Sequence, residues 1–267
     1  MSIRAAINGY GRIGRCLLRA ACERGLGGTL DIVAINELAN LDTMAYLTRY
    51  DTTHGRFPGT VEVYPRGLLI DGRAIAVSGI EAVELLEWNA AGIDLVFECS
   101  GSFSSRAHAQ AHIERGARRV LFSQPAGADI DATVVYGINH HGLGAAQTVI
   151  SAASCSTNCI VPVIDVLDRA LGVDSGVITT IHSAMNDQPV LDAYHHTDLR
   201  KTRAALQSII PVDTGLAAGI GRGGQEAEFA QVLLEIGEVC IAVVLREQSL
   251  HRSEQIGRYA VGLDDGE

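Results

Sequence analysis

The sequence predicts an α/β protein, with an N-terminal Rossmann-type doubly wound sheet followed by a partial α+β second domain. Three observations predict it. Short apolar runs of strand character alternate with stretches that keep helical spacing. Three glycines, Gly9, Gly11 and Gly14, fall between the first strand and the first helix. An acid, Glu37, closes the second strand.

The elements follow in order. IRAAI, residues 3–7, reads as a short buried strand. NGYGRIGR comes next, in the G-x-G-x-x-G register. Ile13, Leu17, Leu18 and Ala21 then keep the spacing of one helical face, and Gly25 stops the helix. LDIVAIN is the second strand, ending at Glu37. In this setting the first glycine permits a tight turn, the second lets a pyrophosphate approach the backbone, and the third lets helix and strand pack closely. The helix start offers free N–H groups and a positive dipole end to phosphates. Glu37 suits a ribose diol and repels a 2′-phosphate, which favours NAD over NADP. The other reading is a tight turn with a surface acid.

Further along, IDLVFECSG (93–101) reads as a buried strand, SSRAHAQAHIERGA as a helix, and RRVLFSQP as another strand. Open α/β sheets bind ligands at the carboxyl edge of their strands, which makes Ser100, Gly101 and Ser123 cofactor-side candidates. A plain strand-end turn explains each of them equally well.

Composition bounds the function. The chain has 267 residues, 47% hydrophobic and 19% charged, which suits a globular protein with a good core. Its net charge is −10, from 21 basic and 31 acidic residues, which argues against a general nucleic-acid binder. A local basic pocket for a small phosphate still fits. No apolar run reaches the length of a membrane span, and the N-terminal residues have no signal-peptide core. The six cysteines are scattered, with no Cys-x-x-Cys pair, so a reduced, cytoplasmic protein is expected.

The stretch SAASCSTNCIVPV (151–163) raises the question of chemistry. Ile160, Val163, Ile164, Leu167 and Leu171 keep helical spacing, and Pro162 requires the helix to begin near residues 154–157. Cys155 then sits at the amino end, where a thiolate is favoured. Cys159 falls one turn inside, as a buried packing residue. Three readings of Cys155 stay open on these residues alone: nucleophile, half of a metal pair with Cys159, or a small core residue. A metal pair needs two more ligands, and His195 and His196 match no zinc spacing, so no metal is expected. SGVITTIHSAMNDQ (175–188) is a β-branched strand with His182 at its end, placed as a general base for a thiol or as a half-buried structural histidine.

NGYGRIGR, SAASCSTNC, TTIHSAMNDQ, DLRKTRAA and IIPVDTG together resemble the glyceraldehyde-3-phosphate dehydrogenase family, in its order and spacing, over about residues 1 to 220. The resemblance implies a cysteine-dependent, NAD-dependent aldehyde dehydrogenase. It places Gly9, Tyr10, Gly11, Arg12, Ile13 and Gly14 at the cofactor and gives Cys155 a thiohemiacetal and then a thioester. His182 becomes the base, and the Cys155 N–H an oxyanion donor. Ser154, Ser156, Thr214 and Gly215 match positions near one anion site, and Asp187 and Arg203 match the loop around substrate and cofactor. Met185, Val212 and Asp213 resemble the D-erythrose-4-phosphate dehydrogenase branch, which makes 4-phosphoerythronate on the route to pyridoxal phosphate. Glycolytic glyceraldehyde-3-phosphate oxidation and a catalytically impaired NAD-binding remnant are the alternatives. The partners implied are a small phosphorylated aldose and further copies of the chain, as a homotetramer that uses a loop at 183–204. No nucleic acid and no membrane are implied.

After GLAAGI the likeness stops. The family's Asp-Asn-Glu-Trp-Gly motif is absent, since the single tryptophan is Trp88. The expected organisation is an NAD-binding domain at 1–153, a partial catalytic domain at 154–220, and a divergent tail at 221–267. In that tail Phe229, Val232, Leu233 and Ile236 share one helical face, and VCIAVVL has strand character. A truncated or frameshifted gene product is the other expectation for the tail.

Overall fold

A computed structural model describes residues 2–185, 188–212, 214–222, 228–234 and 239–245, the last two stretches by their backbone. It divides into two compact units, Met1–Cys155 and Ser156–Glu267.

In the first unit, β1 (Ile3–Asn8) leads through the glycine loop into α1 (Arg12–Glu23), and β2 (Leu30–Asn36) returns parallel to β1. Gly25 adopts φ +65° just past α1, a left-handed turn that glycine makes without strain. Next come α2 (Leu41–Arg49), a small hairpin of β3 (Tyr50–Asp51) and β4 (Gly55–Arg56), then β5 (Val61–Tyr64), β6 (Gly67–Ile70) and β7 (Arg73–Ser78). α3 (Trp88–Ala91), β8 (Leu95–Glu98), α4 (Arg106–Glu114), β9 (Arg119–Phe122), β10 (Ala132–Thr133) and β11 (Val149–Ser151) complete it.

Nine strands form one sheet in the order β10-β11-β9-β8-β1-β2-β7-β6-β5. It is parallel from β10 to β7, and β5 and β6 join as an antiparallel edge. Alternate side chains of a strand point to opposite faces, and that alternation builds two cores. Ala5, Ile7, Ile35 and Phe97 pack with Leu18 of α1 and Met44 of α2. Ala6, Ala34, Val96 and Val120 pack with Trp88 of α3 and Ala109 of α4. Helices thus cover both faces, as in a doubly wound Rossmann-type fold. The chain leaves β1 toward β2 on one side and β8 lies on the other, so the switch point falls between β1 and β8.

The second unit contains α5 (Cys155–Leu171, whose first residue belongs to the first unit), β12 (Val173–Ile181), α6 (Leu216–Arg222), β13 (Glu228–Leu234) and β14 (Val239–Leu245). Strand β12 is central, with β13 parallel on one side and β14 antiparallel on the other. Residues 228–234 are therefore a strand, which corrects the helical face expected of Phe229, Val232 and Leu233. Seven ladder positions against β12 outweigh a weak helical spacing. Ile236 lies outside the described residues. VCIAVVL is the strand β14, in line with its β-branched composition. No helix among the described residues is long and apolar enough to cross a membrane.

Candidate functional site

The glycine loop lies at the switch point. Gly9 adopts φ +87°, and a Cβ there would stand 2.4 Å from the Ser100 Cα, so this glycine is required by its own chain. A Cβ on Gly14 would stand 2.3 Å from the Gly9 carbonyl oxygen, which is the close helix–strand packing expected of the third glycine. Gly11 differs. It has φ −68°, open to any residue, and a Cβ there would meet nothing within 4 Å. The chain itself gives no reason for glycine at this position, whereas a pyrophosphate lying over the start of α1 does. The residues present therefore fit a dinucleotide.

Glu37 is tied more tightly than its sequence position suggests. Its carboxylate accepts from the Tyr10 N–H at 2.7 Å and from the Leu38 and Ala39 N–H groups at 2.8 and 3.1 Å. It braces the glycine loop and leaves the rest of its acceptor capacity for a ribose diol. Tyr10 joins the loop by its backbone only. Its ring is 2% exposed, with the hydroxyl against Thr48 Oγ1 at 2.9 Å, so the side chain belongs to the core. Arg12 and Ile13 are exposed at the start of α1, and Ile13 therefore leaves the apolar face on which its spacing placed it. The buried face of α1 is carried by Gly14, Leu18 and Ala21, and Ile13 falls one position off it.

Ser100 and Gly101 follow β8, beside the loop, and Gly101 needs its φ of +77°. Ser123 follows β9 and donates its N–H to the Glu98 carbonyl at 3.0 Å. Burial pushes the Cys99 thiol up to about 11 against an opposing hydrogen bond with Ser123, which leaves it an inert packing residue.

Beneath these residues runs a polar network that sequence reasoning missed. Glu98, 0% exposed, accepts from Asn8 Nδ2 (2.6 Å), His112 Nε2 (3.0 Å), and the Ser100 N–H (2.8 Å) and hydroxyl (2.5 Å). Burial pushes this carboxyl up, but the bonds from His112, Ser100 and Asn8 outweigh it and hold it below the usual carboxylate range. The available signal was a set of polar residues, Asn8, Asn36 and Glu98, each closing a strand directly after a run of at least three apolar residues.

Cys155 opens α5 and is exposed. The residue two before it, Ala153, is buried with φ +60°, a left-handed conformation that costs a non-glycine residue about 1–2 kcal/mol. That kink lies between β11 and α5, braced by the Ser151 hydroxyl, which accepts from the Ala153 N–H at 3.0 Å. Cys159 is exposed, which corrects its expected burial. The inner face of α5 is carried by Thr157, Ile160, Val161 and Ile164, and Cys159 falls between those rows. Pro162 lies two turns inside α5, where it omits one backbone hydrogen bond.

His182 directly follows β12 and donates from Nδ1 to the Ser183 carbonyl at 2.7 Å, so the basic nitrogen of its neutral ring is Nε2. Ser154 and Ser156 flank Cys155 and are half-buried. Within the second unit α6 meets the start of α5: a Cβ on Gly219 would stand 2.8 Å from Thr157 Oγ1. Thr214 Oγ1 accepts from the Leu216 N–H at 3.3 Å, and Thr214 and Gly215 are exposed just before α6. Arg203 is exposed and paired with Asp192 at 2.7 Å. Asp187 and Asp213 lie outside the described residues.

A parallel sheet, a glycine-lined cradle at its switch point and an acid beside it define the class: a Rossmann-type dinucleotide-binding protein. Residues 3–106 match the model of the glyceraldehyde 3-phosphate dehydrogenase NAD-binding domain, and residues 154–225 match that of its C-terminal domain. The two matches span about two thirds of the chain, which belongs to the glyceraldehyde-3-phosphate dehydrogenase family, NAD-dependent enzymes of aldehyde sugar phosphates.

Proposed function

We propose that the chain oxidises D-erythrose 4-phosphate to 4-phosphoerythronate, with Cys155 as nucleophile and His182 as base. The observation that carries this reading is Cys155: an exposed thiol on the first residue of a seventeen-residue helix, just after a strained turn. The helix start favours its thiolate, and His182 Nε2 takes the thiol proton to become an imidazolium. The thiolate adds to the aldehyde carbon, and the new oxyanion accepts from the Cys155 N–H before taking a proton from the His182 imidazolium. His182 Nε2 then removes that hydroxyl proton as hydride leaves the carbon, and a thioester remains on Cys155. NAD, when bound over the loop of Gly9, Gly11 and Gly14, supplies the hydride acceptor. His182 Nε2 then gives that proton up to solvent and takes one from a water that attacks the thioester; the tetrahedral adduct collapses to the acid, which loses its own proton to solvent, and to the Cys155 thiolate beside the His182 imidazolium.

Ser154, Ser156, Thr214 and Gly215 are the proposed phosphate-side residues, with Arg203 able to exchange its exposed Asp192 partner for a phosphate. Asp187 is proposed for the same loop on sequence alone. Met185, which brings no hydroxyl, supports a hydrolytic ending, because inorganic phosphate would lack a donor there. Exposed Val190, Leu191, Tyr194 and Leu199 support a homo-oligomer built on the loop at 183–204, with a tetramer as the proposed state. Cys16, Cys22, Cys99 and Cys159 are in no disulfide, which suits a cytoplasmic setting. The proposed domains are an NAD-binding domain at 1–153 and a partial catalytic domain at 154–220, followed by a divergent tail at 221–267.

NADH formation by purified protein tests the proposal, with erythrose 4-phosphate and glyceraldehyde 3-phosphate, each with and without inorganic phosphate. Turnover of the four-carbon sugar without phosphate, lost in Cys155→Ala, is expected. Faster, phosphate-dependent turnover of the three-carbon sugar would reassign the substrate. No turnover of either by folded protein that binds NAD would make the chain a binding remnant.

A further inference from the structure

Glu98 is a buried carboxylate that the proposed chemistry does not use, and the directions of its hydrogen bonds are fixed. The indole of Trp88 has only a donor, so His112 accepts it at Nδ1, at 2.9 Å. The neutral ring then carries its proton on Nε2 and gives it to Glu98. On the other side, Ser78 donates to Asn36 Oδ1, and Asn36 Nδ2 donates to Asn8 Oδ1, at 2.9 and 2.8 Å. That leaves the Asn8 amide nitrogen facing Glu98. Ser100 adds its N–H and its hydroxyl. Every neighbour arrives as a donor, and among the described residues no lysine or arginine pairs with the carboxylate. A buried anion held only by neutral donors is a poor way to stabilise a core, since an apolar side chain of the same volume does as well or better.

Its two partners beside the glycine loop say what it does instead. Asn8 is the residue before Gly9, and Ser100 is the residue on whose backbone Gly9 is packed. We propose that Glu98 is a positioning residue for the dinucleotide, clamping Asn8 and Ser100 so that both walls of the crevice keep the separation the pyrophosphate and ribose need. The proposal rests on the glycine loop being the dinucleotide site.

The test measures NAD and ADP-ribose dissociation constants by calorimetry, and urea midpoints, for the full chain and four variants. Glu98→Gln keeps the shape but turns a donor toward partners that are all donors. It is expected to raise both dissociation constants about tenfold. Glu98→Asp keeps the charge on a shorter stem and is expected to raise them about threefold, between wild type and glutamine. Trp88→Phe cuts the far end of the network without touching Asn8 or Ser100. It should lower the urea midpoint and leave both constants within about twofold, a split that a merely structural role would not produce. Wild-type affinity in Glu98→Gln with a fallen midpoint overturns the proposal. If the glutamine variant does not fold, wild-type affinity in Glu98→Asp overturns it in the same way. Gly11→Ala checks the underlying site. Unchanged NAD affinity there would move the dinucleotide away from the loop and take the proposal with it, whatever the Glu98 variants show.

Discussion

Gly9 and Gly11 are two residues apart in one motif, yet the structure gives them unrelated jobs, and substitution by alanine should separate them. In Gly9→Ala the new Cβ would lie 2.4 Å from the Ser100 Cα and 2.5 Å from its nitrogen. Ordinary contact begins at about 3.4 Å, so packed backbone must move by about 1 Å, at a cost of about 1–3 kcal/mol. Holding alanine at φ +87° adds about 1–2 kcal/mol. A total of about 3 kcal/mol, at a urea slope of about 2 kcal/mol/M, lowers the unfolding midpoint of the first unit by about 1.5 M. In Gly11→Ala the Cβ meets nothing and φ is −68°, so only a small change in capping remains, about 0.5 kcal/mol. The methyl group enters the space assigned to the pyrophosphate, and NAD affinity should fall at least about tenfold. Urea titration followed by Trp88 fluorescence, beside NAD calorimetry, reads both quantities. Equal destabilisation by the two variants, or wild-type NAD affinity in Gly11→Ala, would refute the reasoning.

The other predictions are simpler. His182→Gln should lower kcat by about 10²–10⁴-fold with NAD affinity unchanged, and Cys155→Ala should abolish turnover, in steady-state assays beside calorimetry. Ile164, fully buried on α5, should cost about 2–4 kcal/mol on truncation to alanine, measured by urea unfolding. Asp131 accepts from the Val149 N–H at 2.9 Å and from Arg106, with the Thr148 N–H at 2.7 Å, and these bonds hold its carboxyl well below the usual carboxylate range. A depressed folded-state pKa gives stability that is fully present above the unfolded value of about 3.9 and is lost as pH falls below it. Asp131→Asn should therefore be less stable than wild type at pH 7, with the gap narrowing below about pH 4, as urea midpoints at pH 7 and pH 3 would show.

The sequence by itself determined the strand–loop–helix at residues 3–23, the alternation of strands and helices that follows and the start of α5, because periodicity, glycine and proline act locally. It also carried the family, since five motifs in fixed order are not reproduced by chance. Only the tertiary structure decided what each glycine does, because Gly9 is constrained by Ser100 and Gly11 by nothing in the chain. It decided that Tyr10 faces the core, that Cys159 faces out and that residues 228–234 form a strand, since partners distant in sequence override local spacing. The Glu98 network was invisible for the same reason. Its members come from the ends of β1, β2, β7 and β8 and from α3 and α4, and a buried carboxylate is recognisable only when the donors surrounding it are seen together.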